Sequence, residues 1–250
     1  MKKIILTLVL SIGFPALAAI DIPLLQRQLA KSTGLPIHFR PQNPPVSWKV
    51  RCDAPAKADE KQLARYLAMV SHELGKYPKS LLRKANIKSI AIVKSLSVGG
   101  QLRSAMPDYQ NEVLYLDFIR GNHAPVYQAH CMHHEFFHLL EQELNGSADF
   151  KDPEWGKLNP RDFKYGQGGR KQRGDDNFGL VHPHPGFINR YSMSGLEEDK
   201  AEIYAALFVS SERKKIMAMA VKDLHLKAKI EMMIGILRQI DPHLPRQLTP

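Results

Sequence analysis

The stretch His134-Glu135-Phe136-Phe137-His138 decides how the rest of the chain is read. Two histidines four residues apart on a helix leave from one face, so both imidazoles can reach a single Zn²⁺. Glu135, between them, then lies beside the metal's open position, where a carboxylate can act as general base toward a bound water. The flanking residues supply the helix. Val126, Ala129, Phe137, Leu140 and Leu144 recur at helical spacing between Pro125 and Leu144; Pro125 suits a first turn and Asn145-Gly146 suits an end. The plain alternative is a core helix carrying two hydrogen-bonded histidines.

A catalytic zinc takes three protein ligands and keeps one position open. The extended pattern H-E-x-x-H-x-x-G-x-x-H does not apply, because Glu141 and Leu144 stand where the glycine and the third histidine would be. A glutamate from a later helix is the other source. In Glu197-Glu198-Asp199-Lys200-Ala201-Glu202, residues Glu198 and Glu202 are one helical turn apart. One can bind the metal while the other hydrogen-bonds a ligand histidine. Acidic residues also favour helix starts through the helix dipole, which suits Glu197 and Asp199 better than Glu202, set among Tyr204, Ala205, Leu207 and Phe208.

Taken together, His134 to His138 and the run Tyr191-Ser192-Met193-Ser194-Gly195-Leu196-Glu197-Glu198-Asp199-Lys200-Ala201-Glu202 resemble the gluzincin metallopeptidases related to anthrax lethal factor and the Pro-Pro endopeptidases. They are also similar to a group of zinc-binding metallopeptidases exported by Gram-negative bacteria. The resemblance implies Glu198 as third ligand, Glu202 as hydrogen-bond partner of a ligand histidine, and Tyr191 as a phenol donor to the tetrahedral oxyanion. It implies one Zn²⁺ per chain and an α+β, zincin-like metallopeptidase domain, in which a small mixed sheet precedes the HExxH helix and a helical C-terminal part follows.

Other histidines and the cysteines carry weaker signals. His133 points about 100° away from His134 on a helix, so it is expected beside the site or on the surface. His130, one turn before His134, can line the site. His182-Pro183-His184 falls in a loop, where substrate-facing or inert roles are expected before metal binding. Cys131 lies three residues before His134, but a thiolate ligand would be unusual beside this motif.

The N-terminus sets an expected compartment. Met1-Lys2-Lys3, the short apolar run from Ile4 to Phe14, and Ala16-Leu17-Ala18-Ala19 read as a bacterial signal peptide over residues 1–19, too short to span a membrane. The expected product is exported, periplasmic or secreted, with no transmembrane segment. In that compartment Cys52 and Cys131 are expected to form a disulfide. Losing Lys2 and Lys3 lowers the formal charge from +10 to +8. That balance favours anionic envelope surfaces or acidic substrates, although a solvated basic face is the simpler reading. No nucleic-acid motif appears.

Residues 20–250 are expected to form a single domain: an N-terminal extension over 20–56, sheet and motif helix over 57–150, and a loop plus helical part over 151–250. Helices are expected over Ile22 to Ser32, Asp59 to Lys76, Gly195 to Ser210 and Glu212 to Ile240, the last broken near Val221. Strands are expected over Ser89 to Val93 and Val113 to Phe118, with another possible around Val46 to Val50; Gly99-Gly100 and Pro107-Asp108 mark turns. The functional expectation is an exported zinc endopeptidase acting on a peptide or protein substrate, laid along Val113 to Phe118 as a sheet edge. Gly166 to Gly174, with Arg170, Lys171 and Arg173, is either a basic lid or an ordinary surface loop. A non-catalytic zinc-binding envelope protein and a zinc amidase acting on cell-wall peptide are the alternatives.

Overall fold

A computed structural model describes residues 20–169, 171 and 178–248. The signal-peptide segment and two of the three basic loop residues, Arg170 and Arg173, lie outside the described residues. Six short strands form one mixed sheet: β1 (Ile37–His38), β2 (Val50–Asp53), β3 (Ser89–Val98), β4 (Gln101–Leu102), β5 (Ala105–Asp108) and β6 (Val113–Asp117). The main order is β1-β3-β6-β5, with β2 and β4 pairing the far half of β3. β3 runs parallel to β6, with Ile90 opposite Leu114 and Ile92 opposite Leu116; β5 is antiparallel to β6.

Strand alternation sends neighbouring side chains to opposite faces. Ile90, Ile92, Leu114 and Leu116 join the main core beneath the helices, whereas Ala91, Val93, Val113 and Tyr115 join a second layer with Met106. That is why β3 and β6 read as nearly continuous apolar runs: they are covered on both faces.

The helices are α1 (Ile22–Thr33), α2 (Glu60–Leu74), α3 (Lys79–Lys84), α4 (Pro125–Asn145), α5 (Pro153–Gly156), α6 (Leu196–Phe208), α7 (Ser210–Ala220), α8 (Leu224–Ile240) and α9 (Pro245–Leu248). In α4, Pro125 occupies the first turn, where its missing N–H costs nothing, and Gly146 closes the helix at φ 74°. Its Met132, Phe136, Phe137 and Leu140 are fully buried. α6 lies against α4 and is buried from Asp199 to Phe208. Lys200 helps lock the pair. Lys200 is 1% exposed, and its Nζ lies 2.5 Å from Glu141 Oε1 on α4 and 3.1 Å from Asp152 Oδ2.

Four expectations change. Residues Val46–Trp48 form a 3₁₀ turn, and the strand begins only at Val50. β6 is an interior strand, so Val113 to Phe118 is not the sheet edge. The edge is β5, which contains the Pro107-Asp108 pair expected to be a turn; an edge strand tolerates proline because one side of it needs no N–H donor. The Cys52–Cys131 disulfide is not formed, and both thiols are free. Cys52 packs on the outer layer of the sheet and Cys131 on the helical side, so the sheet lies between them. Burial, aided by Asp53, pushes the Cys52 thiol up to about 11, and burial pushes Cys131 up to about 12. Among the described residues no helix is long and apolar enough to cross a membrane.

Candidate metal centre and cleft

α4 presents His134 and His138 toward α6, and α6 presents Glu198 and Glu202 back. His134 Nε2 lies 3.0 Å from Glu198 Oε2 and 3.1 Å from His138 Nε2, and His138 Nε2 lies 3.5 Å from the same carboxylate oxygen. Ligand atoms about 2.0–2.1 Å from a tetrahedral zinc stand roughly 3.3 Å apart. These two nitrogens and one oxygen therefore have the spacing and chemistry of three zinc donors. Burial opposes charge on Glu198, but the adjoining His134 and His138 outweigh it and hold the carboxyl well below the usual range. Burial likewise opposes charge on His134, yet Glu198 and Glu202 push its imidazole up to about 10.

Glu202 stands behind this trio. Its Oε1 lies 2.9 Å from His134 Nδ1, an ion-pair distance, although the approach is bent from the direction an N–H would take. Its Oε2 lies 3.1 Å from His130 Nε2 and accepts from Asn189 Nδ2. His130 Nδ1 in turn lies 2.6 Å from Glu212 Oε2. Burial would neutralise Glu202, but His130 and His134 keep its carboxyl low. Such a chain of partners fixes the orientation of a ligand imidazole. His130, Glu202 and His134 could themselves group around a cation, but the carboxylate is already engaged by Asn189.

Asn189 and Glu212 were not readable as site residues. Each reaches the cluster from a separate segment, and neither stands at a motif spacing. His133, expected beside the site or on the surface, is fully buried instead. It lies 2.7 Å from Glu73 Oε2 and bonds Tyr77, both brought in by α2 and the residues just after it. His182 bonds Asp223, and His184 packs on Phe163 and Phe187; neither belongs to a candidate metal group among the described residues.

Glu135 and Tyr191 complete the arrangement. Glu135, half-buried, faces a cleft of about 650 Å³ that His134, His138 and Glu198 also line. Burial raises the Glu135 carboxyl, with His134 and His138 opposing the rise. A raised carboxyl is better matched to accepting a proton near neutral pH. Tyr191 starts a 3₁₀ turn and donates its hydroxyl to Glu198 Oε1 at 3.1 Å. Tyr109 also lines the cleft, and burial, then the carboxylates of Glu135, Asp149 and Glu198, raise its phenol.

Gly169 closes in from the loop side. Gly166 and Gly168 donate backbone N–H bonds to Met193 and Ser194, which holds the loop against the turn that carries Tyr191. A Cβ on Gly169 would stand 2.1 Å from Glu198 Oε1 and 2.2 Å from the Tyr191 hydroxyl. Gly169→Ala should therefore displace both groups and lower kcat/KM by roughly 100-fold, the scale of a 1 Å misplacement, with the melting temperature nearly unchanged. Steady-state kinetics beside a thermal melt checks this.

No curated protein matches the chain in sequence. A crystal structure of a putative zinc-binding metallo-peptidase from Bacteroides caccae has a similar fold, with a TM-score of 0.53 at 19% identity, covering 90% of this chain and 87% of that one. The family model described as putative zinc-binding metallo-peptidase matches residues 110–236, a stretch that includes β6, α4, the Tyr191 turn and α6. The chain belongs to that metallo-peptidase family.

Proposed function

We propose that this protein is an exported zinc-dependent endopeptidase of gluzincin type, with His134, His138 and Glu198 as metal ligands and Glu135 as general base. The observation that carries the reading is the convergence of two imidazole nitrogens and one carboxylate oxygen within 4.8 Å of one another, with Glu135 beside them in an open cleft. Zn²⁺ held there would polarise a substrate carbonyl and lower the pKa of water toward roughly 7.

The protein's own groups do the rest. An extended peptide lies along the edge strand β5, whose Ala105, Met106 and Pro107 border the cleft. Glu135 takes a proton from the attacking water and returns it to the leaving amide nitrogen as the C–N bond breaks. The Tyr191 hydroxyl donates to the carbonyl oxygen as charge develops on it. Glu202, anchored by His130 and Asn189, holds His134 in place. A base at the open side of the site favours catalysis over a purely structural zinc, which would close its fourth position with a protein ligand.

The test is incubation of the mature protein with a peptide library, read by mass spectrometry. Defined cut peptides are expected; intact peptides under zinc-loaded conditions would overturn the reading. The Tyr191 role has its own check. A donor used mainly in the transition state affects kcat and leaves KM nearly unchanged. Tyr191→Phe should lower kcat by about 10²–10³ with zinc content kept. If the tyrosine only packs on His134 and Phe178, kcat would stay near wild type.

A further inference from the structure

We infer that Arg103 is a specificity-determining residue that receives a carboxylate of the substrate; the inference rests on the peptidase reading above. Arg103 lines the same cleft as His134 and Glu135, two residues before β5 begins. It is 8% exposed, and its Nη1 is buried with no hydrogen-bond partner. Its guanidinium makes one side-chain hydrogen bond among the described residues, from Nη2 to Gln101 Oε1 at a long 3.3 Å. Among those residues no carboxylate pairs with it.

A guanidinium is always charged and carries five donors in a flat fork. Burying one without a partner is unfavourable, so such groups normally meet a carboxylate or phosphate. Arg103 is held in this position by its own backbone, whose N–H donates to Leu96 O at 2.8 Å. The segment cannot swing away without breaking the link to β3.

The charge layout of the cleft gives the site a direction. Arg103 comes just before β5 and Tyr109 just after it, and both line the cleft. A peptide extended along β5 would meet the buried guanidinium at the Arg103 end. A negative group on the substrate is therefore favoured at the Arg103 end. The ligand chemistry is a carboxylate, supplied either by an acidic side chain or by a free chain terminus. Lys49 also lines the cleft but is exposed, so solvent screens it.

The experiment uses randomised decapeptides made in matched forms: Asp and Glu against Asn and Gln, and free C-terminal carboxylate against amide. Cleavage is measured with wild type, Arg103→Gln and Lys49→Gln, and binding with Glu135→Gln protein by fluorescence polarisation. Wild type should prefer one carboxylate form by about 10- to 100-fold, mainly through KM, the scale of a charge-assisted hydrogen bond. Arg103→Gln should lose that preference while cutting the neutral peptides at the wild-type rate, and Lys49→Gln should keep it. Preference for Asp or Glu assigns a side chain; preference for the free terminus assigns a chain end. Cleavage without any carboxylate preference, an unchanged preference in Arg103→Gln, or an equal loss on neutral and acidic peptides would overturn the inference and leave the peptidase reading standing. Carboxylate-selective binding without cleavage would do the reverse.

Discussion

Glu198→Ala should purify with little zinc. On the proposed reading its carboxylate is the third donor, 3.0 Å from His134 Nε2 and 3.5 Å from His138 Nε2, and two imidazoles alone make an incomplete site. Losing a hydrogen-bond partner of a ligand typically costs roughly 10–100-fold in metal affinity, so losing a ligand itself should cost more. The comparison variant is Glu202→Gln. That change leaves all three donors and weakens only the support behind His134, so it should fall in the 10–100-fold range. Zinc titration against a competing chelator ranks the two. Equal affinities for Glu198→Ala and wild type would remove Glu198 from the ligand set.

Glu135→Gln should bind zinc normally and lose most hydrolysis. Glutamine keeps the shape of the side chain but cannot accept the proton that a carboxylate accepts. General acid–base catalysis by one group contributes about 10²–10⁴-fold, and Glu135 is assigned both the first and the second proton transfer. The loss should therefore sit toward the upper end of that range and appear in kcat. A variant that cuts peptides at near the wild-type rate would assign the base elsewhere. A variant that loses its metal as well would show that Glu135 supports the fold of the site rather than the chemistry.

The motif helix was legible because its chemistry and its periodicity coincide. Pro125 and Gly146 bound it, and the same residues that space the imidazoles also place Phe136, Phe137 and Leu140 in the core. Strands β3 and β6 were legible as β-branched and apolar runs. β5 was not, because Pro107-Asp108 has turn chemistry and only the strand's edge position makes proline acceptable there. The disulfide expectation came from compartment alone, and compartment says nothing about which side of a sheet each cysteine faces. His133 was misread for a related reason. A helical wheel gives its angle, but not that Glu73 and Tyr77 wait on that side. Asn189, Glu212 and Arg103 carry no local pattern at all, and the glycine-rich loop from Gly166 gave no sign that Gly169 would meet Glu198; their places follow from how distant segments meet around α4 and the cleft.

Metal removal and restoration tests the central claim most directly. Mature protein is stripped with a zinc chelator, dialysed, and incubated with a peptide library before and after one equivalent of Zn²⁺ is returned. The expected result is no cleavage when stripped and cleavage restored at one zinc per chain. Undiminished cleavage by the stripped protein, or full zinc occupancy with every peptide intact, would contradict it.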